Sequence, residues 1–555
     1  MHERITLAIT QALSALGAQG ISFVVERPAD MSHGDFATNA ALSAAKTLGK
    51  NPREVAAALQ SKLSIEGVER TDVAGPGFIN FFLSREALKR EVERAATEDT
   101  WGNNALYQGK RVMVEYTDPN PFKEFHIGHL MSNTIGEAIA RTLEAAGASV
   151  VRANYQGDVG LHVAKAIYGL EQMGGDPMSE GKLGMAYVLG AEKYEADPAA
   201  KERIHEINKH VYLQDDESIQ KLYREGKEVS LRRFENLYKI LGTTFNYYFF
   251  ESETTPIGLE LVRKHTGDVF EESEGAVVYK GEKVGLHTRV FINAQGLPTY
   301  EAKDIGLLSM KQEKEAALDQ SITITASEQN DYFKVVLAAA KEIPEVATIA
   351  QKTTHISHGM MRFAEGKMSS RRGNVITGAS LLGDLTIASH QKMQGRELVD
   401  ANNTAQQVAV AAIKYAVLKQ GSGKDIIFDP EQSLSIEGDS GPYVQYALVR
   451  ARSLLSAAKK EGLTSSRVDA LEETETLERV LLHYPHVVWR ASKELEPHYV
   501  TTYLTELASV FNSWYARERI IGGRYPSYAL LLVGAFERTM AKGLTLLGIP
   551  TPQEM

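Results

Sequence analysis

Apolar positions along this chain follow two periods, and the switches between them outline its elements. Arg111-Val112-Met113-Val114 reads as a buried parallel strand, and across 130–146 apolar residues recur at helical spacing, at Ile135, Ala138, Ile139 and Leu143. A second unit follows, with a strand at 150–154 and a turn at Gly157-Asp158-Val159-Gly160. The stretch near 172–245 is polar, helical in period and rich in Lys and Glu, so it reads as an insertion. Strands return near 276–279, 288–292 and 322–325, and from about 405 the period is almost wholly helical. Ahead of all this, helices are predicted over 5–16, 39–48, 52–63 and 85–96, with a strand at 68–73. Gly75-Pro76-Gly77 is a turn feeding the apolar strand that begins at Phe78, and Trp101-Gly102-Asn103-Asn104 is a linker. Three domains are therefore expected: an α/β domain over 1–102, a strand–helix core over 103–404, and a helical domain over 405–555.

The length supports that division. At 555 residues the chain exceeds the ~250–300 at which a single core stops growing. Its net charge of −10 argues against indiscriminate nucleic-acid binding, though not against one local basic surface. There is no cysteine, which excludes disulfides and thiolate metal sites and fits a reducing cytoplasm. Met1-His2-Glu3-Arg4 opens an amphipathic helix rather than a signal peptide, and no apolar run approaches the ~18 residues that would span a membrane.

The candidate chemistry begins where the first core strand turns into its helix, at Glu115-Tyr116-Thr117-Asp118-Pro119-Asn120-Pro121-Phe122-Lys123-Glu124-Phe125-His126-Ile127-Gly128-His129. Free N–H groups and the positive helix end favour a phosphate chain there. Gly128 admits a flat ring close to the backbone. His126 and His129 share a face and can donate to phosphate oxygens, although two ordinary helix-start histidines would look the same. Far downstream, Glu365-Gly366-Lys367-Met368-Ser369-Ser370-Arg371-Arg372-Gly373-Asn374 is either a solvated charge run or a set of donors for a departing pyrophosphate.

The two motifs, in this order, resemble the two signatures of class I aminoacyl-tRNA synthetases. The likeness narrows to the arginyl-tRNA synthetases through residues 115–136, 300–306, 359–376 and 435–452. Gly34-Asp35-Phe36-Ala37-Thr38-Asn39 resembles that family's N-terminal domain, and Ser440-Gly441-Pro442-Tyr443 its helical anticodon-binding domain. The resemblance implies a doubly wound parallel α/β sheet of Rossmann type, flanked by an N-terminal α/β domain and a C-terminal α-helical bundle. It implies ATP-dependent attachment of arginine to its tRNA through an arginyl-adenylate, with Mg²⁺ accompanying ATP and no resident metal.

Carried over residue by residue, His126, His129, Lys367 and Lys123 would be catalytic. Gly128, Met368, Ser369 and Ser370 would join the two histidines and Lys367 in holding ATP. Glu115, Asn120, Tyr300, Asp304 and Gln329 match the arginine site, and carboxylates there suit a guanidinium fork. Taken alone, Glu115 or Asp304 is equally a carboxylate in an ordinary ion pair. Phe78, Asn80, Arg517 and Arg519 are the candidate tRNA contacts, the arginines lying close to Trp514 and Tyr515. A cytoplasmic monomer is expected.

The chain departs from the family's usual pattern at four positions, with Asp118 for serine, Met131 for arginine, Val159 for tryptophan and Ser370 for lysine. Two rival readings remain at this point: a class I synthetase for another amino acid, and a tRNA-binding paralogue without catalysis.

Overall fold

The computed structural model describes residues 1–174, 180–364, 376–467 and 473–555. They form two compact units, one of residues 1–103, 446–489 and 503–543, the other of 104–445, 490–502 and 544–555.

In the first unit a four-stranded sheet is built from β1 (Val25–Glu26), β2 (Phe36–Thr38), β3 (Val68–Ala74) and β4 (Phe78–Leu83). Its order is β1-β2-β4-β3, with antiparallel pairing throughout. The Gly75-Pro76-Gly77 turn closes the β3–β4 hairpin, and a side chain at Gly77 would collide with Pro52, 3.0 Å away. Helices His2–Ala15, Ala40–Leu48, Pro52–Gln60 and Arg85–Thr97 bury Ile9, Ala44, Val55 and Leu88 against this sheet. The predicted helices all form. The short strands β1 and β2 were not predicted, because two or three residues carry no readable period. The unit also holds parts of the C-terminal helices Gly441–Lys460, Thr476–Leu482, Tyr484–Glu494, His498–Arg517 and Pro526–Leu546.

The second unit is organised by β5 (Arg111–Glu115), β6 (Ser149–Gln156) and β7 (Tyr247–Phe250). A small antiparallel sheet, β8 (Glu271–Ser273), β9 (Ala276–Tyr279) and β10 (Arg289–Ile292), precedes β11 (Gln320–Ala326) and β12 (Thr353–His358). The main sheet has the order β12-β11-β5-β6-β7, and every neighbouring pair is parallel. The order runs outward in both directions from β5, so the chain reverses between β5 and β11. A crevice at the carboxyl ends of these two strands is where such a sheet takes its ligand. Val112, Met113 and Val114 are fully buried, as a central parallel strand requires.

Two edge strands, β7 and β12, escaped the sequence reading. β7 is four residues long, and β12 (Thr-Thr-His-Ile-Ser-His) is too polar to stand out. The insertion contains helices Glu180–Ala196, Pro198–Leu213 and Glu217–Leu241, packed on their own core of Val163, Ile167, Ile204 and Ile207. The C-terminal part is not all helix: Ile426–Phe428 pairs in parallel with Met361–Phe363. Three residues are too few to interrupt a helical pattern on inspection.

Candidate active site

The first signature lies at the predicted place, between β5 and the helix Ile127–Ala145. The loop between them is strained. Thr117, Asp118 and Phe122 all adopt the left-handed region, with φ of 83°, 43° and 68°. His126 caps the helix: its Nδ1 accepts from the Gly128 N–H at 3.1 Å, and the His129 Nδ1 accepts from the His126 N–H at 3.2 Å. The rings stack, with centroids 3.5 Å apart.

This refines the expectation that both imidazoles simply donate to phosphate. A backbone N–H can only donate, so each Nδ1 is an acceptor and each ring carries its proton on Nε2. Burial lowers the pKa of His126 and, further, that of His129, reinforced in both by Lys123 and His358 and in His129 also by His126. The pair is therefore neutral, with one Nε2–H donor on each ring. A Cβ at position 128 would lie 2.9 Å from the His126 ring, so glycine is needed for this stack. Lys123 is half-buried, its ammonium 5.7 Å from the Tyr187 ring, and burial lowers its pKa.

Lys367, Met368, Ser369 and Ser370 lie outside the described residues. Thr377 and Gly378, which follow that segment, meet the first signature directly. Thr377 bridges to His126, and the Gly378 N–H donates to the Phe125 carbonyl at 2.7 Å.

At the carboxyl end of β5, Glu115 is 2% exposed and paired at 2.8 Å with Lys311, itself 1% exposed. Thr323, the residue beside Glu115 on β11, takes a 3.4 Å bond from Lys311. Tyr300 and Asp304 lie on the helix Tyr300–Lys314, four apart on one face. Tyr300 is 63% exposed, whereas Asp304 accepts a 2.7 Å bond from the Tyr332 hydroxyl. Burial raises Asp304 to about 7, with the charges of Glu115 and Glu251 adding to the effect. Gln329 is exposed and ends the single turn Ser327–Gln329 after β11. Asn120 sits against the β6 turn, where a Cβ at Gly157 would fall 2.2 Å from its Oδ1 and 3.1 Å from Glu251 Oε1.

Sequence reasoning missed Lys311, Lys303 and Glu251. Lys303 and Glu251 form a buried ion pair at 2.6 Å, and Glu251 and Asn120 meet at the Gly157 turn. One signal was available: Lys311 follows Leu308 and Leu307 by three and four residues, so helical spacing puts it on an apolar face, where a buried charge needs a partner.

Three of the four departures can be placed. Asp118 takes the Tyr155 N–H at 2.8 Å, and burial beside Glu115 raises its pKa well above the usual range. Met131 (1% exposed) and Val159 (3%) are core, with Val159 in the cluster under the insertion. Asp158, in the same turn, is a structural hub that accepts from Tyr223, Lys227 and Ser252. Ser370 lies outside the described residues.

In the first unit, Phe78 is half-buried and Asn80 is 5% exposed within the inner strand β4. Arg517 is exposed and pairs with Glu475 at 3.4 Å, and Arg519 is exposed. Trp514, close to them in the sequence, is core at 2% exposure. Tyr515 is 37% exposed, with Arg450 over its ring at 5.3 Å.

Cores of this kind, with a nucleotide turn where the strand order reverses, occur in class I aminoacyl-tRNA synthetases. The family model for class I tRNA synthetases of the arginine type, catalytic domain, matches residues 91–430. The arginyl-tRNA synthetase N-terminal domain matches 3–83, and the DALR anticodon-binding domain 444–555. The chain belongs to the arginyl-tRNA synthetases. An arginine–tRNA ligase of Limosilactobacillus reuteri is 31% identical over 572 residues, covering all of this chain and 99% of the relative. One of Pasteurella multocida is 31% identical, covering 96% of this chain and 98% of the relative. Among solved structures, the Thermus thermophilus arginyl-tRNA synthetase superposes with a TM-score of 0.83 at 27% identity, over the full length of both chains. The Plasmodium falciparum arginyl-tRNA synthetase, at 20% identity and a TM-score of 0.80, shares the fold. The chain is an ATP-using ligase that charges tRNA with arginine, and neither rival reading is favoured. Among the described residues no helix is long and apolar enough to cross a membrane.

Proposed function

We propose that adenylation takes place in the crevice between β5 and β11, with ATP at the His126 turn and the arginine side chain toward Glu115 and Asp304. The observation that carries this reading is the geometry of the turn. Two neutral imidazoles present Nε2–H donors at a helix N-terminus, and the chain that follows Lys367–Ser370 is bonded to that same turn at His126 and Phe125. His126, His129 and Gly128 hold the nucleotide, and Lys123 supplies a cation beside it. Lys367, Met368, Ser369 and Ser370 meet the leaving pyrophosphate. Mg²⁺ arrives with ATP as part of the substrate.

Asp304 and Glu115 read the guanidinium, and Asn120, Tyr300 and Gln329 complete the arginine site. A guanidinium offers five donors in a fixed fork, which two carboxylates can satisfy. Its charge also favours the ionised form of Asp304, which burial alone disfavours. Residues 1–102 and 405–555, which flank the 103–404 core in the sequence, serve as tRNA-binding domains. Arg517, Arg519, Phe78 and Asn80 contribute contacts. The enzyme acts as a monomer in the cytoplasm, a compartment that a chain without cysteine suits.

The test is ATP–pyrophosphate exchange with each amino acid, with and without tRNA. Arginine alone should support exchange, and tRNA should stimulate it. Exchange with a different amino acid in preference would overturn the assignment of the pocket.

A further inference from the structure

The insertion does more than extend the surface. Its helix Glu217–Leu241 lies with one face along the loop that carries the first signature. Tyr223 and Lys227 bond to Asp158 in the β6 turn, at 2.8 and 2.7 Å. Gly226 packs on Phe122 so closely that a Cβ there would come within 2.2 Å of the ring. Ser230 Oγ accepts the Phe122 N–H at 2.9 Å, at one of the three left-handed residues of the loop. Arg233 closes a two-pronged bond on Glu124: Nη1 donates to Oε1 at 2.7 Å, and Nη2 donates to Oε2. Phe234 and Tyr238 meet the Phe125 ring. Positions 223, 226/227, 230, 233/234 and 238 are successive turns of a single helical face. Each meets the β6 turn or the loop between residues 122 and 125.

We infer that Arg233 and Ser230 are positioning residues for adenylate formation, the insertion helix being the template that holds Lys123 and His126 in register for ATP. The physical need is clear. A left-handed phenylalanine backbone is costly and persists only where its surroundings over-determine it. Phe122 has that support from two sides, through its N–H and its ring. Glu124 stands between Lys123 and the Phe125-His126 pair, so a planar fork on its carboxylate fixes both neighbours at once. The helix Glu180–Ala196 adds a second wall, since a side chain at Gly184 would reach within 2.6 Å of Glu124 Oε1. This inference rests on the ATP-site assignment of Lys123 and His126 made above.

The experiment measures arginine-dependent ATP–pyrophosphate exchange, with tRNA present, for Arg233→Met, Arg233→Lys, Glu124→Gln and the exchanged pair Glu124→Arg/Arg233→Glu. His126→Ala serves as the reference. Displacing a reactive geometry by about 1 Å costs up to ~10²-fold in rate. Arg233→Met and Glu124→Gln should therefore lower kcat by about 10–10²-fold, with KM for ATP moving much less. Arg233→Lys keeps the charge but loses the fork, so it should fall between Met and wild type. The exchanged pair should recover part of the loss. If Arg233→Met lowers thermal stability while kcat stays at wild type, the residue is only structural and the inference fails. If the variant does not fold, Arg233→Lys and the exchanged pair decide, and equal kcat in both and in wild type overturns it. If His126→Ala is also fully active, the ATP-site reading itself falls, a result distinct from failure of the clamp alone.

Discussion

At the proposed nucleotide end of the crevice, His126 and His129 are held neutral by burial and by giving their Nδ1 atoms to the helix cap. At the proposed arginine end, Asp304 is pushed toward neutrality in the opposite sense, its pKa raised to about 7. Both ends lose charge when empty, but their substrates differ in kind. Triphosphate brings charge that neutral donors can stabilise without first being ionised. Guanidinium brings a cation that favours the carboxylate form it needs. The two carboxylates at the arginine end also differ. Glu115 is paired with the buried Lys311, whereas the hydrogen bond that Asp304 accepts among the described residues comes from the uncharged Tyr332 hydroxyl. On this account Asp304 is the one that responds to substrate.

The largest effect should come from removing that response. Asp304→Asn should cut kcat/KM for arginine by about 10⁴-fold and erase most of the discrimination against citrulline, the neutral analogue of the same shape. Steady-state exchange with both amino acids measures it, and unchanged discrimination would break the comparison at its arginine end. Next in size, His126→Ala or His129→Ala should lower kcat by about 10²–10³-fold, the scale for losing an aimed donor. A rise in KM for ATP with kcat intact would instead mean ground-state binding.

Lys311→Met strands Glu115 as a buried unpaired charge, which costs about 3–5 kcal/mol. Thermal melts should show the loss, and saturating arginine should restore part of it by supplying a cation. Equal losses with and without arginine would separate Glu115 from the substrate.

The pH profile sharpens the contrast with a smaller effect. Asp304 must ionise to pair with arginine, so KM for arginine should climb as pH falls through about 7. The two histidines, already neutral, should leave KM for ATP flat over the same range. The stability sign agrees. A raised folded-state pKa penalises the empty protein as pH rises through about 7, so arginine should raise Tm more on the alkaline side.

Much of the candidate site's local structure could be read from the chain, because the residues proposed for it sit in short contiguous motifs. The strand, turn and helix from Arg111 to Ala145 form where the periodicity predicts them. Tyr300 and Asp304 needed only helical spacing to share a face. What could not be read was long-range pairing. Lys311 meets Glu115, and Arg233 meets Glu124, across separations that no local period encodes. The edge strands β7 and β12 were missed for a related reason: pairing with a neighbour, not sequence pattern, makes them strands. Trp514 shows the opposite error, since closeness in sequence to Arg517 suggested a surface role for a core side chain.

The most direct test of the central claim, that Asp304 ionises when arginine binds, is the proton balance of binding. Arginine should be titrated into the protein by calorimetry in buffers of different ionisation enthalpy, at about pH 6 and about pH 8.5. With Asp304 near 7, binding should release close to one proton at the lower pH and almost none at the higher, and Asp304→Asn should abolish that release. Heats independent of buffer at both pH values, or the same release from Asp304→Asn, would contradict the account.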